Sequence, residues 1–316
     1  MGGVVGLGVL LITAWGGDSV ARAHSPTAPA GVQGDTLVGV VELRGDPESD
    51  DPVMRGAYLA RAGNCVTCHT EEDAAEELFL AGGKPIETPF GVFYGTNITS
   101  NPEHGIGDWS EEDFARAMRE GRAPDGSHYY PSFPYAAFTK MTDSDISDLY
   151  AFLREVPGVD RENIPHDIPW YAGFRGSLAL WKMMNFEEGR FEPDPDRDEQ
   201  WNRGAYLTRA VTHCAECHSP RTLSGGIDEG LRYAGTSDGP DGGSVPNITP
   251  HETGIGGWSA RHLVRYLEFG MDPDGDFAGG SMADVISEGT SYLTGEDLAA
   301  IVDYLSSLDP IENEID

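Results

Sequence analysis

Two short stretches hold every cysteine of the chain, each followed at once by a histidine: Cys65-Val66-Thr67-Cys68-His69 and Cys214-Ala215-Glu216-Cys217-His218. Thiols three residues apart can add to the two vinyl groups of one haem, and the next histidine is then held beneath the iron as proximal ligand. Three other chemistries use cysteine pairs. A structural zinc site takes two C-x-x-C pairs, but nothing in zinc coordination asks for a histidine directly after both. A disulfide framework belongs to small exported domains, and this chain has 316 residues. A thioredoxin-like pair wants a βαβ setting, which the sequence lacks. The expectation is therefore two covalently bound haem c groups, anchored by Cys65, Cys68, Cys214 and Cys217, with His69 and His218 as iron ligands. No acid/base or nucleophile constellation stands apart from these motifs.

The opposite face of each iron needs its own ligand. A methionine thioether there raises the reduction potential and suits electron transfer. In the second half, Gly279-Gly280-Ser281-Met282-Ala283 precedes the last helical stretch, so Met282 is the expected ligand and Met271 its rival. The matching stretch of the first half reads Tyr129-Tyr130-Pro131-Ser132-Phe133-Pro134-Tyr135 and contains no methionine. Met141, just before Thr142, is the expected ligand there; the alternatives are His128 or a five-coordinate iron. Met118 falls in a helical apolar stripe and reads as core, and His104, His213, His251 and His262 read as surface or structural residues.

The elements that must position these groups occur twice. Arg55-Gly56-Ala57-Tyr58-Leu59 returns as Arg203-Gly204-Ala205-Tyr206-Leu207, and Gly105-Ile106-Gly107-Asp108-Trp109-Ser110 as Gly254-Ile255-Gly256-Gly257-Trp258-Ser259. Cys214 follows Cys65 by 149 residues and Asn247-Ile248-Thr249 follows Asn97-Ile98-Thr99 by 150, the period of a duplicated domain. Both Asn-Ile-Thr triplets match a glycosylation sequon, but recurrence at matching places favours a structural role. Short helices should lead from Tyr58 and Tyr206 into the haem motifs. Ser110 to Asp113 reads as a capping box for a helix ending at Gly121, and Thr142 to Asp145 and Thr294 to Asp297 as caps of the two closing helices. Strand signals are weak. The fold expected is mostly α and loop-rich, with haem forming much of each core.

Composition narrows the setting. The formal charge of −32 makes nucleic acid or an anionic membrane surface an unsuitable partner for the folded body. Only three lysines (Lys84, Lys140, Lys182) stand among 21 basic residues, a surface that tolerates high salt and is equally suited to docking a basic redox partner. Residues 2–15 are small or apolar and Ala21-Arg22-Ala23 follows, as in a secretory signal, although no Lys or Arg precedes the apolar run. The chain divides into a signal peptide or N-terminal anchor (1–23), a flexible linker (24–50), a first domain (51–160), a connector (161–200) and a second domain (201–316). Trp170, Phe174, Trp181 and Phe186 of the connector are expected to pack between the domains, with Pro193 to Asp198 as a polar turn.

Five stretches carry a family likeness: Arg55 to His69, Pro89-Phe90-Gly91 with Asn97-Ile98-Thr99, Gly105 to Gly121, Asp125 to Tyr135, and Trp201 to Arg221. Across about residues 53–310 the chain resembles the multihaem cytochrome c subunits of bacterial membrane-bound alcohol, gluconate and sorbitol dehydrogenases. That resemblance implies two tandem cytochrome c domains of the class I kind, where familiar members have three, and a methionine where Phe133 stands. It further implies electron flow from a flavin or quinoprotein dehydrogenase to a quinone or cytochrome acceptor. The location expected is the periplasm or the outer face of the cytoplasmic membrane, with membrane association through the N-terminus left open. The competing reading is a haem enzyme, thiosulfate-oxidising or peroxidase-like, or a haem sensor, working at an open first haem.

Overall fold

The computed structural model describes residues 44–170, 175–239 and 242–315. The signal or anchor segment and residues 24–43 of the linker therefore lie outside the described residues. Ten α-helices are described. In the first half they are α1 (Pro52–Ala62), α2 (Cys65–His69), α3 (Glu111–Glu120), α4 (Tyr135–Phe138) and α5 (Asp143–Glu155). The connector carries α6 (Gly176–Asn185); α7 (Glu199–Tyr206), α8 (Ala260–Phe269), α9 (Gly280–Glu288) and α10 (Gly295–Ser306) follow. Strands β1 (Pro85–Thr88) and β2 (Gly91–Tyr94) pair antiparallel, Pro85 opposite Tyr94, in the one described sheet.

Each half is framed by its entry helix crossing its closing helix: α1 on α5, and α7 on α10. The repeated glycine makes both crossings close. A Cβ on Gly56 would lie 2.0 Å from the Asp148 carbonyl oxygen, and one on Gly204 would lie 1.9 Å from that of Ala300. The capping signals hold as written in the sequence. Ser110 and Asp113 form a reciprocal capping box on α3, which ends at Gly121 with φ +56°. The Thr142 and Thr294 hydroxyls accept from the Asp145 and Asp297 amides at the starts of α5 and α10. The core behind these helices includes Leu149, Leu153, Phe152 and Met118 in the first half and Leu298, Ile301 and Leu305 in the second.

The halves interlock reciprocally through the same repeated tyrosine. Tyr58 donates to the Asp297 carboxylate at 2.6 Å and accepts from the Thr294 amide at 3.2 Å. Tyr206 donates to Asp145 and accepts from the Thr142 amide at 3.1 Å. Each half thus places its tyrosine on the cap of the other half's closing helix. Both hydroxyls are pushed far up, first by burial and then by the carboxylate beside them, and stay protonated donors. The described residues belong to one compact unit.

The connector keeps the expected aromatic seam only in part, through Trp181, whose indole nitrogen would lie 3.4 Å from a Cβ on Gly225 of the second half. Trp170 is 90% exposed, because it sits on a turn ahead of α6 rather than on a packed face. Phe174 lies outside the described residues. Trp181 and Phe186 pack edge-on against Tyr135 of the first half, with ring centroids 6.3 Å and 5.3 Å away.

Candidate functional site: two matched Cys-His turns

Both haem-type motifs open on a strained residue. Asn64 (φ 56°) precedes Cys65 and His213 (φ 43°) precedes Cys214, each in the left-handed region that turns the chain sharply into the motif. Leu80 (φ 58°) and Tyr233 (φ 67°) form a second matched pair, whose carbonyls accept from the Ile98 and Ile248 amides at 2.9 Å. Helix α1 therefore runs into α2 through one such turn. The helix α7 continues as a π-turn (Leu207–Val211) before the single 3-10 turn Cys214–Glu216.

The four thiols are unpaired. Burial pushes Cys65 up to about 12, with Cys68 adding to it, and Cys68 up to about 11. Burial likewise pushes Cys217 up to about 12, helped by Glu216. Among the described residues no three His, Cys, Asp or Glu side chains converge as a metal site.

The histidines are set up as iron ligands are. His69 Nδ1 lies 2.6 Å from the Thr96 carbonyl oxygen, and His218 Nδ1 lies 2.8 Å from that of Pro246. A proton on Nδ1, donated to that carbonyl, leaves Nε2 as the free base that coordinates metal. Burial lowers both pKa values and keeps the rings neutral.

The Asn-Ile-Thr triplets follow those two carbonyls directly. Asn97 Oδ1 accepts from the Thr99 amide and hydroxyl at 3.0 and 2.7 Å, and Asn247 does the same with Thr249 at 2.8 and 2.7 Å. Their amide nitrogens donate to the chain leaving each closing helix, at Val159 and at Ile311. Both asparagines are 2% exposed, so the triplets tie the histidine's support to the closing helix and present no side chain for glycosylation. Their recurrence was the signal for this role; the Thr96 and Pro246 carbonyls carried none.

The distal candidates separate into two stations. Met282 lies in the first turn of α9 and is partly buried; the sequence placed it in a loop, but Gly280, at φ +55°, starts the helix earlier. Phe133 stands 149 residues before Met282, at the same spacing as the cysteines. Its ring contacts Tyr129, Tyr135 and Phe138 at 5.6, 6.4 and 5.7 Å between centroids. Met141 is 1% exposed and immediately precedes the cap of α5, the place that Leu293 takes before the cap of α10. Met271 pairs with Phe277 in an isolated bridge, and His128 pairs with Arg122 in the equivalent one.

Haem fits what surrounds the motifs. Buried polar atoms without a hydrogen-bond partner include the Thr67 hydroxyl inside the first motif and the Tyr135 hydroxyl, groups with a donor to spare for a bound group. Unpaired thiols beside neutral, backbone-anchored imidazoles are the donor set that covalent haem attachment requires.

Known proteins resemble the chain in sequence. The cytochrome c family matches residues 53–157. A diheme cytochrome c-type protein of Cereibacter sphaeroides is 40% identical over 85% of this chain and 92% of its own length. The fructose dehydrogenase cytochrome subunit of Gluconobacter japonicus is 36% identical, over 91% of this chain and 60% of that subunit. The alcohol dehydrogenase (quinone) cytochrome c subunit of Gluconacetobacter polyoxogenes is 37% identical, over 87% of this chain and 60% of its own length. The chain thus spans about 60% of those two dehydrogenase subunits and nearly all of the diheme protein. It is a member of the diheme c-type cytochrome family.

Proposed function

We propose that the chain is an extracytoplasmic electron carrier, with tandem domains at residues 51–160 and 201–316, one covalent haem in each, joined by 161–200. Cys65, Cys68, Cys214 and Cys217 hold the two groups; His69 with Met141, and His218 with Met282, are the axial pairs. The observation that carries this reading is the duplicated support of His69 and His218 by a backbone carbonyl, each followed by the same buried Asn-Ile-Thr clamp.

Haem supplies one-electron chemistry when bound. The protein residues fix the imidazole tautomer and exclude water from the motif histidines. A dehydrogenase partner gives up one electron at a time, which passes between the halves to a quinone or cytochrome acceptor; no bond to substrate forms on this chain. The relatives named as dehydrogenase cytochrome subunits support that partner. Among the described residues no helix is long and apolar enough to cross a membrane, so an anchor would have to come from elsewhere in the chain or from a partner.

The test is a pyridine haemochrome assay on denatured protein washed with acidified organic solvent. Two haems retained per chain are expected; haem lost to the solvent, or one per chain, contradicts the assignment. Stopped-flow reduction by a flavin or quinoprotein dehydrogenase, followed by reoxidation, then tests the direction of flow.

A further inference from the structure

The duplicated frame is covered on one half and open on the other. In the first half, α6 lies over the end of α3. Lys182 Nζ donates to the carbonyls of Glu120 and Gly121, the latter at 2.9 Å, and stands 4.6 Å from the centre of the Tyr135 ring. Arg175 donates to the His128 carbonyl at 2.9 Å. Trp181 and Phe186 close over Tyr135, and Leu178 enters a cluster with Phe93 and Tyr130.

Those positions have counterparts 149 residues on: Phe269 for Glu120, Gly270 for Gly121 and Phe277 for His128. The local backbone is the same. Gly121 and Gly270 both take positive φ, and their carbonyls accept from Tyr129 and Ala278 at 2.8 Å. Here, however, Phe269, Gly270, Phe277, Ala278, Ala283 and Ile286 line a groove of about 260 Å³. Phe269 and Phe277 are 59% and 68% exposed, and among the described residues no side chain donates to the Phe269 or Gly270 carbonyl. The end of α8 brings the negative pole of a ten-residue helix to this groove, and Glu268 adds a carboxylate. Apolar walls around a negative helix end ask for an occupant with an apolar face and one cation.

We propose that the groove between α8 and α9 docks a helix of a partner protein, presenting a lysine or arginine beside an aromatic residue, in the way α6 docks on the first half. The inference deepens the reading as a subunit: it names the surface through which a partner is held. It stands apart from the haem assignment, because the haem count does not involve the groove.

The probe is a stapled helical peptide with the sequence of residues 175–187, titrated calorimetrically into the haem-loaded full chain. Saturable one-to-one binding is expected, weakened at least tenfold by Phe277→Asp in the chain and by Lys182→Glu in the peptide. Phe269→Asp provides a second groove variant, and both exposed positions should leave the haem spectrum and melting temperature of the chain unchanged. Absence of saturable binding, or binding indifferent to both groove variants, overturns the proposal. Sedimentation showing a dimer that Phe277→Asp dissociates would overturn the partner assignment in favour of a second copy of this chain. Attachment to anionic vesicles lost in the same variant would overturn it in favour of a lipid surface.

Discussion

In the second half a methionine opens the distal helix and a leucine sits beneath the closing cap; in the first half a phenylalanine opens the distal segment and a methionine sits beneath the cap. Phe133 and Met141 against Met282 and Leu293 amount to an exchange of stations, with one thioether kept per half. The segment between the stations differs too, since Phe133 precedes its cap threonine by nine residues and Met282 by twelve. The four-residue α4 stands in the first half where the second half has the nine-residue α9. The lesson is that duplication preserves the carbonyl support of the motif histidines and the Asn-Ile-Thr clamp behind it. The distal side is the part free to diverge, because a thioether on a flexible side chain can reach iron from more than one backbone position.

The shared frame can be broken first, with the largest effect. Gly56→Ala and Gly204→Ala each force a Cβ into a carbonyl about 2 Å away, and each should cost about 3 kcal/mol or more in urea unfolding. A large loss in one half and none in the other would show that the halves do not share this crossing. Next come the interlocking tyrosines. Tyr58→Phe and Tyr206→Phe each remove a buried hydrogen bond to a carboxylate, worth about 2 kcal/mol. A neutral result for one of them would make the interlock one-sided.

The smallest effect is a pH response at His166, in the connector where it packs on β2. His166 Nδ1 accepts from the Tyr94 amide at 3.1 Å, with the ring against Phe93 and Tyr130, and burial followed by Arg175 lowers its pKa. The unfolded chain takes up this proton near the ordinary histidine pKa of about 6.5, while the folded chain resists. Stability is therefore full above that pH and declines below it, by about 1 kcal/mol per unit for this one group. His166→Asn keeps an acceptor and should flatten that slope; an unchanged slope in unfolding curves between pH 4 and 7 would place the titration elsewhere.

Much of this was legible in the residues themselves. The haem-type spacing, the duplication and the three caps are local signals, and a side chain three residues from its partner must meet it on a helix. The pairing of Tyr58 with Asp297 was not legible, because its partner stands 239 residues away and the repeat suggested only equivalence, not exchange across the halves. Helix α6 was missed for another reason. Its sequence, Gly-Ser-Leu-Ala-Leu-Trp-Lys-Met-Met-Asn, is apolar on several sides, and Leu180, Met183 and Met184 stay exposed, so no amphipathic stripe announces it. Trp170 was read as packed from its type alone, and its place on a turn decides otherwise.

The exchange of stations has one direct test. In the oxidised protein, methionine–iron charge-transfer absorption should report both haems, and the reduced protein should bind carbon monoxide poorly. Met282→Ala and Met141→Ala should each remove half of that absorption and open a single carbon monoxide site, the former at the second haem and the latter at the first. Rapid binding of carbon monoxide at one haem per chain in the unmodified protein, with Met141→Ala leaving the absorption intact, would contradict ligation by Met141. It would make the first haem an open site for catalysis or sensing rather than a closed relay.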